Sequence, residues 1–375
     1  GARPTPVHLQ IPTDVMPLPC PPLPAPAIAP PRPQASAAQL ARAADILGAA
    51  QRPVILAGGG ARSCEGALRT VAQALDAPVV QTVNARGLMH GHALCVPASP
   101  SLDAVRALIA DADAVLVLGS ELGPTDYDMY ARGGLPDMAQ MIRVDICPHQ
   151  LARHPAALTM CADAGDVAAA LSPLIAQKDT GGAARAAHTR ATARAELGRL
   201  DPAMPARLAM IEAIATALPH AQIVGDSTQP IYAANLFYDH DRAGGWFNAA
   251  TGFGALGYGP GAAIGAALAQ PAARTVCIIG DGGLQFTAAE LRTAVDEALP
   301  ITFTIWNNAA YGEIADAMRA ADTTVIGCHP SPLHHAAFAS ACDLPFTAIA
   351  MDADALHAAL MQPQNGPCMI EITAA

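Results

Sequence analysis

Lysine, aromatic residues and long apolar runs are all scarce in this chain. Lys178 is the only lysine, and the formal net charge is −11, so no basic patch is available to displace counterions from a nucleic-acid backbone. Nucleic acid is therefore not an expected partner. No window of about 20 residues stays apolar without Gly, Pro or a charge, and the start lacks a basic segment leading into an apolar run. Neither a membrane span nor a secretory leader is expected, and the chain reads as soluble and cytosolic. Aromatics make up 4% of residues, too few for an aromatic-rich all-β sandwich. The nine cysteines form no close pair at metal-ligand spacing, and those inside apolar runs, such as Cys277 and Cys368, read as small core residues.

What is abundant is Ala, Gly and Val, and 52% of the 375 residues are apolar, which suits helices packed closely on sheets in two or three domains. The segment Pro4 to Val15 alternates like a short strand and runs into proline-dense sequence from Pro17 to Pro33, which favours an extended linker. One strand cannot fold alone, so residues 1–16 are expected to be the last strand of a domain that precedes them. From Ser36 the pattern alternates. Ala37 to Ala49 reads as a helix, Pro53 to Ala57 as a strand, Gly58-Gly59-Gly60 as a turn and Cys64 to Leu75 as a helix. Further strands are expected at Val79 to Thr82, Ala114 to Leu118 and Met141 to Asp145. Such alternation predicts a doubly wound parallel sheet over residues 36–176. The polar, Arg-rich stretch 177–204 is a surface helix or linker. A second doubly wound α/β domain over 205–375 carries strands at Gln222 to Gly225, Thr275 to Ile279, Ile301 to Trp306, Phe346 to Ala350 and Cys368 to Ile372.

In that second domain an apolar strand ends in Gly280-Asp281-Gly282-Gly283, with a helix expected to open at Thr287. The next strand ends in Asn307-Asn308. Two adjacent parallel strands thus present Asp281 and Asn308 at one rim, where ligands of α/β sheets bind and helix amino-termini favour anions. A carboxylate, an amide and backbone carbonyls suit a hard Mg²⁺ or Ca²⁺ ion, with phosphate and water completing its shell. Two further segments belong to the same rim. Thr251-Gly252-Phe253-Gly254-Ala255-Leu256-Gly257 lets backbone approach a flat ligand closely. Asp226-Ser227-Thr228-Gln229-Pro230 offers short polar side chains that cap a helix or touch a ligand.

Gly280-Asp281-Gly282 followed by Asn307-Asn308 resembles the signature of thiamine-diphosphate enzymes, in the form found in the acetolactate-synthase and 2-oxoacid-decarboxylase superfamily. The resemblance implies that Asp281 and Asn308 ligate Mg²⁺ through their side chains and Ala310 through its carbonyl. Gly280, Gly282, Gly283, Tyr311 and Gly312 are expected to border the cofactor, with Ser227, Thr228 and Gln229 at the diphosphate. It also implies that Leu256 props the cofactor in a bent form, beside Ala255, with the Gly254 carbonyl and the Leu256 amide on the aminopyrimidine ring. Many relatives have Leu-Pro where Pro260-Gly261 stands here.

Residues 36–176 resemble the central domain of the same superfamily. Some relatives hold flavin there. The absence of a full Gly-x-Gly-x-x-Gly fingerprint, together with Cys147 in Ile142-Arg143-Val144-Asp145-Ile146-Cys147-Pro148 where the family carries an acid, argues for an empty structural domain rather than FAD. The histidines His334, His335, His149 and His154 read as solvated or capping, with no carboxylate partner evident.

The family also needs a glutamate from a pyrimidine-binding domain, which no segment of this chain resembles apart from the strand-like start. The leading expectation is a 2-oxoacid decarboxylase or carboligase, acting as an N-terminally truncated fragment, probed by Glu313 and Ile314 beside the reacting ring. Glu313-Ile314 is more like the guanidino-2-oxopentanoate (2-ketoarginine) decarboxylase branch, where an acid pairs a guanidinium. A homodimer or tetramer is expected, since family sites form between subunits. The alternatives are a non-catalytic cofactor-binding subunit that needs a partner chain carrying the pyrimidine domain, and a flavin or nicotinamide oxidoreductase working through the central domain.

Overall fold

A computed structural model describes residues 6–22 and 31–374. Two six-stranded sheets dominate it, and every strand pairing in them is parallel. The first contains β1 (Pro53–Ala57), β2 (Val79–Gln81), β3 (Cys95–Val96), β4 (Ala114–Leu118), β5 (Met141–Asp145) and β6 (Leu158–Cys161), in the order β3-β2-β1-β4-β5-β6. The second contains β7 (Gln222–Gly225), β8 (Trp246–Asn248), β9 (Thr275–Gly280), β10 (Ile301–Asn307), β11 (Phe346–Ala350) and β12 (Cys368–Thr373), in the order β11-β12-β10-β9-β7-β8. The doubly wound α/β class follows directly from the sequence pattern. Central strands such as β4 (Ala-Val-Leu-Val-Leu) are buried along their whole length because helices cover both faces.

Local chemistry fixes the element ends. Ser36 caps the helix Ala37–Ala49 by accepting the Gln39 amide at 3.3 Å, and Gln39 Oε1 accepts the Ser36 amide at 3.0 Å. At the end of β1 the chain must pass close to the end of β4. A Cβ on Gly58 would lie 2.4 Å from the Gly119 carbonyl oxygen, so only glycine allows that crossing. The Ala- and Arg-rich stretch after residue 177 forms a 19-residue helix, Gly182–Leu200, in keeping with high helix propensity. Its Glu196 accepts the Asp103 amide at 2.8 Å and the Ala104 amide at 3.3 Å, capping the neighbouring helix Asp103–Ala110.

The two halves are riveted by Arg86, which is 1% exposed. Its guanidinium donates to the carbonyls of Gln81 (3.1 Å) and Pro97 (2.6 Å) in the first half, and of Tyr238 (2.6 Å) and Asn235 (3.0 Å) in the second. Burial pushes this guanidinium down to about 10, with Asp239 the strongest opposing charge, so it remains a cation at neutral pH.

Several expectations need correction. Pro4 and Thr5 lie outside the described residues, but from residue 6 to 12 the backbone is irregular and exposed and a turn follows. Val7, Leu9 and Ile11 alternate as a strand would, and among the described residues no strand pairs with them, so a strand here would need an edge supplied by another domain. Part of the proline-dense segment, residues 23–30, also lies outside the described residues. The expected helix start at Thr287 is displaced: a helical turn, Asp281–Leu284, opens directly at the end of β9, and the longer helix begins at Glu290. The edge strands β3, β6 and β8, of two, four and three residues, are additions to the expected set. Cys277 and Cys368 are buried as expected.

Candidate functional site

In the second sheet the chain leaves β7 for β8 on one side and returns to β9 on the other. The ends of β7 and β9 therefore form a topological switch point, where open α/β sheets place their ligands. A cavity of about 280 Å³ opens there. It gathers Ser227, Thr228 and Gln229 from the end of β7, Gly254 and Leu256 from the glycine-rich loop, and Gly280, Asp281, Gly282 and Gly283 from the end of β9. Asn308, Ala310, Tyr311, Gly312, Glu313 and Ile314 follow β10 and complete the wall. Ala255 is exposed and does not line the cavity. Tyr232 does, although the sequence did not single it out. It lies three residues after Gln229 on the helix Gln229–Leu236, one turn deeper on the same face.

A network of side chains shapes the floor. Gln229 Oε1 accepts the indole N–H of Trp306 at 3.0 Å and the amide N–H of Asn308 at 3.4 Å. Asn308 Oδ1 accepts the Ala310 amide at 3.2 Å, which folds the 308–310 turn back on itself. Ala309 takes φ 53°, a left-handed conformation unusual for a residue with a Cβ. The ring of Tyr311 packs over Gly282, where a Cβ would stand 2.4 Å from Tyr311 Cε1. Below the loop, buried Asp226 accepts the Ser227 and Gly259 amides, each at 2.8 Å, and so ties the end of β7 to the start of the helix Tyr258–Ala269. That helix holds both Pro260 and Gly261, and proline is tolerated in a first turn, where amides have no intrahelical acceptor.

Capping does not explain the Ser227–Gln229 segment. Thr228 occupies the position before the helix but makes no side-chain capping bond, and the Ser227 hydroxyl donates instead to the Gly254 carbonyl at 3.3 Å. The histidine expectation fails at His335, which is buried rather than solvated and has a carboxylate partner, Glu371 Oε1, 2.9 Å from Nδ1. That partner lies 36 residues away on β12, beyond the reach of any local pattern.

Electrostatically the cavity is unusual. No Lys or Arg lines it, while Asp281 and Glu313 do. Asp281 is 7% exposed, and burial raises its carboxyl above the ordinary range, opposed by the Gly282 amide, the neighbouring His335 and the Asn308 amide. Three helical segments start at the wall, with Gln229, Asp281 and Gly312 as first residues, so free backbone N–H groups accumulate there. A buried acid beside an amide and a carbonyl is a hard-cation donor set, and the helix starts suit phosphate oxygens. No protein cation on this wall balances an anionic ligand.

A larger cleft of about 750 Å³ lies at the switch point of the first sheet, where Gly59, Gly60 and Gly119 meet Thr251 and Gly252 of the second half. Volume alone would rank it first, but its walls carry Glu121, Asp126, Asp145 and Asp163 against the single Arg62, an adverse field for a diphosphate. Among the described residues no helix is long and apolar enough to cross a membrane.

Parallel strands ending in an oxygen-donor set beside three helix starts define a diphosphate-binding α/β protein. Residues 225–372 match the model of the thiamine pyrophosphate enzyme C-terminal TPP binding domain, and residues 40–171 match that of the thiamine pyrophosphate enzyme central domain. The chain belongs to the thiamine pyrophosphate enzymes. It is similar to a probable 2-ketoarginine decarboxylase of Pseudomonas aeruginosa, 36% identical over 343 residues that cover 88% of this chain and 59% of that protein. The Escherichia coli acetolactate synthase isozyme 1 large subunit is 28% identical over 332 residues, covering 83% and 56%. A sulfoacetaldehyde acetyltransferase of Rhodobacter capsulatus is 33% identical over 322 residues, covering 75% and 53%. The chain thus spans little more than half the length of these relatives.

Proposed function

We propose that this chain holds Mg²⁺ and thiamine diphosphate for the decarboxylation or carboligation of a 2-oxoacid, with residues 205–375 as the diphosphate-binding domain and 36–176 as the central domain. The observation that carries the proposal is the donor set at one rim of the second sheet: buried Asp281 at the end of β9, Asn308 just past β10, and the Ala310 carbonyl in the turn that Asn308 closes. Asp281, Asn308 and Ala310 hold the cation. The amides at the starts of the helices at Gln229 and Gly312, with Ser227 and Thr228, receive the diphosphate oxygens. Gly254 and Leu256 border the ring end of the cofactor. When bound, thiamine diphosphate supplies a carbon nucleophile for the 2-keto group and an electron sink for the departing CO₂. The protein's part is orientation, dehydration of the cleft and charge balance.

Glu313 and Ile314 are exposed at the mouth, at the start of the helix Gly312–Ala320, where an acid is also favoured by the macrodipole. Glu313 is the one glutamate on the cavity wall, and its exposure there suits recognition of a cationic substrate tail. The relative named as a 2-ketoarginine decarboxylase supports a guanidinium-bearing 2-oxoacid. The activating glutamate of this chemistry is assigned to a pyrimidine-binding domain outside residues 1–375. Phe253, in the glycine-rich loop, and Phe286, beside Gly257, are exposed apolar side chains suited to such docking. Their exposure favours a second reading, in which this chain binds the cofactor and is catalytically silent until that domain docks.

Calorimetry with Mg²⁺ and thiamine diphosphate tests the assignment. The 375-residue chain is expected to bind thiamine diphosphate only when Mg²⁺ is present, and Asp281→Ala to abolish binding while keeping the fold. Metal-independent binding, or an unaffected Asp281→Ala variant, would sink it.

A further inference from the structure

Behind the turn that carries Asn308 and Ala310, one carboxylate ties the end of β10 to the rest of the sheet. Glu371 Oε1, on β12, receives Asn307 Nδ2 at 2.6 Å and His335 Nδ1 at 2.9 Å. Asn307 Oδ1 accepts the Ala309 amide at 3.1 Å, and the main-chain carbonyl of Asn307 accepts the Ala374 amide at 2.8 Å. None of Glu371, His335 and Asn307 lines the cavity.

The chemistry of the carboxylate sets the direction of the whole chain of bonds. An ionised Glu371 can only accept, so the Asn307 side chain must turn its NH₂ toward it and its oxygen toward the Ala309 amide. In the flipped orientation Asn307 would set an oxygen against the carboxylate and an NH₂ against a backbone N–H. The correct orientation holds Ala309 in the left-handed conformation at φ 53° that an L-residue seldom adopts unaided. Ala309 lies between Asn308 and Ala310, so its conformation decides where the amide of the first and the carbonyl of the second are aimed. His335, 3% exposed, sets its Nδ1 against the same Oε1 and so fixes where that acceptor stands.

We infer that Glu371, seated by His335, is a positioning residue that presets the 307–310 turn for the divalent cation through the Asn307 side chain. This rests on the proposed function above, and it extends that reading from the residues on the wall to the pair behind it. It also gives a role to a half-buried carboxylate on the last strand that does not line the cavity.

The test uses the 375-residue chain with Glu371→Met, which keeps length but accepts nothing, and Glu371→Gln, which keeps shape but can present either a donor or an acceptor. Hydrogen exchange without any ligand is expected to speed up about tenfold at the amides of residues 309 and 310 in Glu371→Met, with peptides of the first sheet unchanged. The apparent Kd for Mg²⁺ at saturating thiamine diphosphate is expected to rise about tenfold in Glu371→Met, with Glu371→Gln in between. Unchanged exchange at 309 and 310 overturns the inference, and so does a loosened turn that binds Mg²⁺ as tightly as the parent. A parent chain that binds no Mg²⁺ with thiamine diphosphate refutes the proposed function instead, and the clamp is then decided on exchange, which needs no ligand.

Discussion

Gln229 is the residue whose replacement reads the cavity floor most directly. Its Oε1 accepts from both Trp306 Nε1 and Asn308 Nδ2, and Gln229→Met removes that acceptor with little change in volume. The Trp306 indole is 2% exposed, so its N–H loses its partner without gaining water. An orphaned buried donor costs about 1–3 kcal/mol, whereas the Asn308 amide, half-buried at the wall, can turn to solvent at little cost. The expected destabilisation is therefore about 2 kcal/mol. For a domain of this size that corresponds to a fall in Tm of about 4–8 °C. The chain has two tryptophans, and Trp246 lies on β8 away from this cavity, so the Trp306 signal can be isolated in a Trp246→Phe background. Its emission should move to the blue as the indole hydrogen bond is lost. Freed of Gln229, Asn308 is expected to bind Mg²⁺ about tenfold more weakly, which is about 1.4 kcal/mol. A variant with parental emission and parental Tm would refute the hydrogen-bond account of this floor.

Arg86→Met strips donors from four carbonyls, three of them buried, spread over both halves and is expected to cost about 3 kcal/mol net of the relieved charge burial. Scanning calorimetry should then show two separate transitions, and a single parental transition would contradict the rivet. Burial pushes the His240 imidazole from 6.5 down to about 4 against the pull of Asp241, so the folded state resists a proton that the unfolded chain accepts. That contribution is intact above pH 6.5 and is lost as pH falls from 6.5 toward 4, on the order of 3 kcal/mol in all. Denaturant titrations of the parent and His240→Phe across this window should differ in slope, and parallel curves would exclude the assignment. Glu313→Gln, assayed with a pyrimidine-binding domain supplied, is expected to reduce the preference for a cationic over a neutral 2-oxoacid about tenfold in kcat/KM. Equal loss for both substrates would assign Glu313 to the helix start alone.

The parts of the site that could be read in the sequence are those whose chemistry is local. Asp281 and Asn308 stand at the ends of two apolar runs that had to be adjacent parallel strands, so their meeting at one rim followed from strand order. The glycines around them announced close backbone approach for the same reason. What could not be read depends on partners. Val7, Leu9 and Ile11 have the period of a strand, but a period does not say whether an edge is free to receive it, and among the described residues none pairs with them. β3 has two residues, too few for any alternation to be visible. His335 looked solvated because its partner is on the last strand, and the role of Arg86 has no local signal because its four acceptors are scattered between residues 81 and 238.

The donors on the cavity wall are set by short motifs, but their aim is set by groups drawn from across the fold: Gln229 from the helix Gln229–Leu236 meets Asn308, and Glu371 from β12, itself met by His335, meets Asn307. Mg²⁺ tolerates little departure from octahedral geometry, so the precision it demands has to come from this converging support rather than from Asp281 and Asn308 themselves. A fragment containing only the β9-to-β10 motif would therefore carry the right ligands and bind the metal poorly. Strength of binding in this chain is expected to track the integrity of the second sheet as a whole.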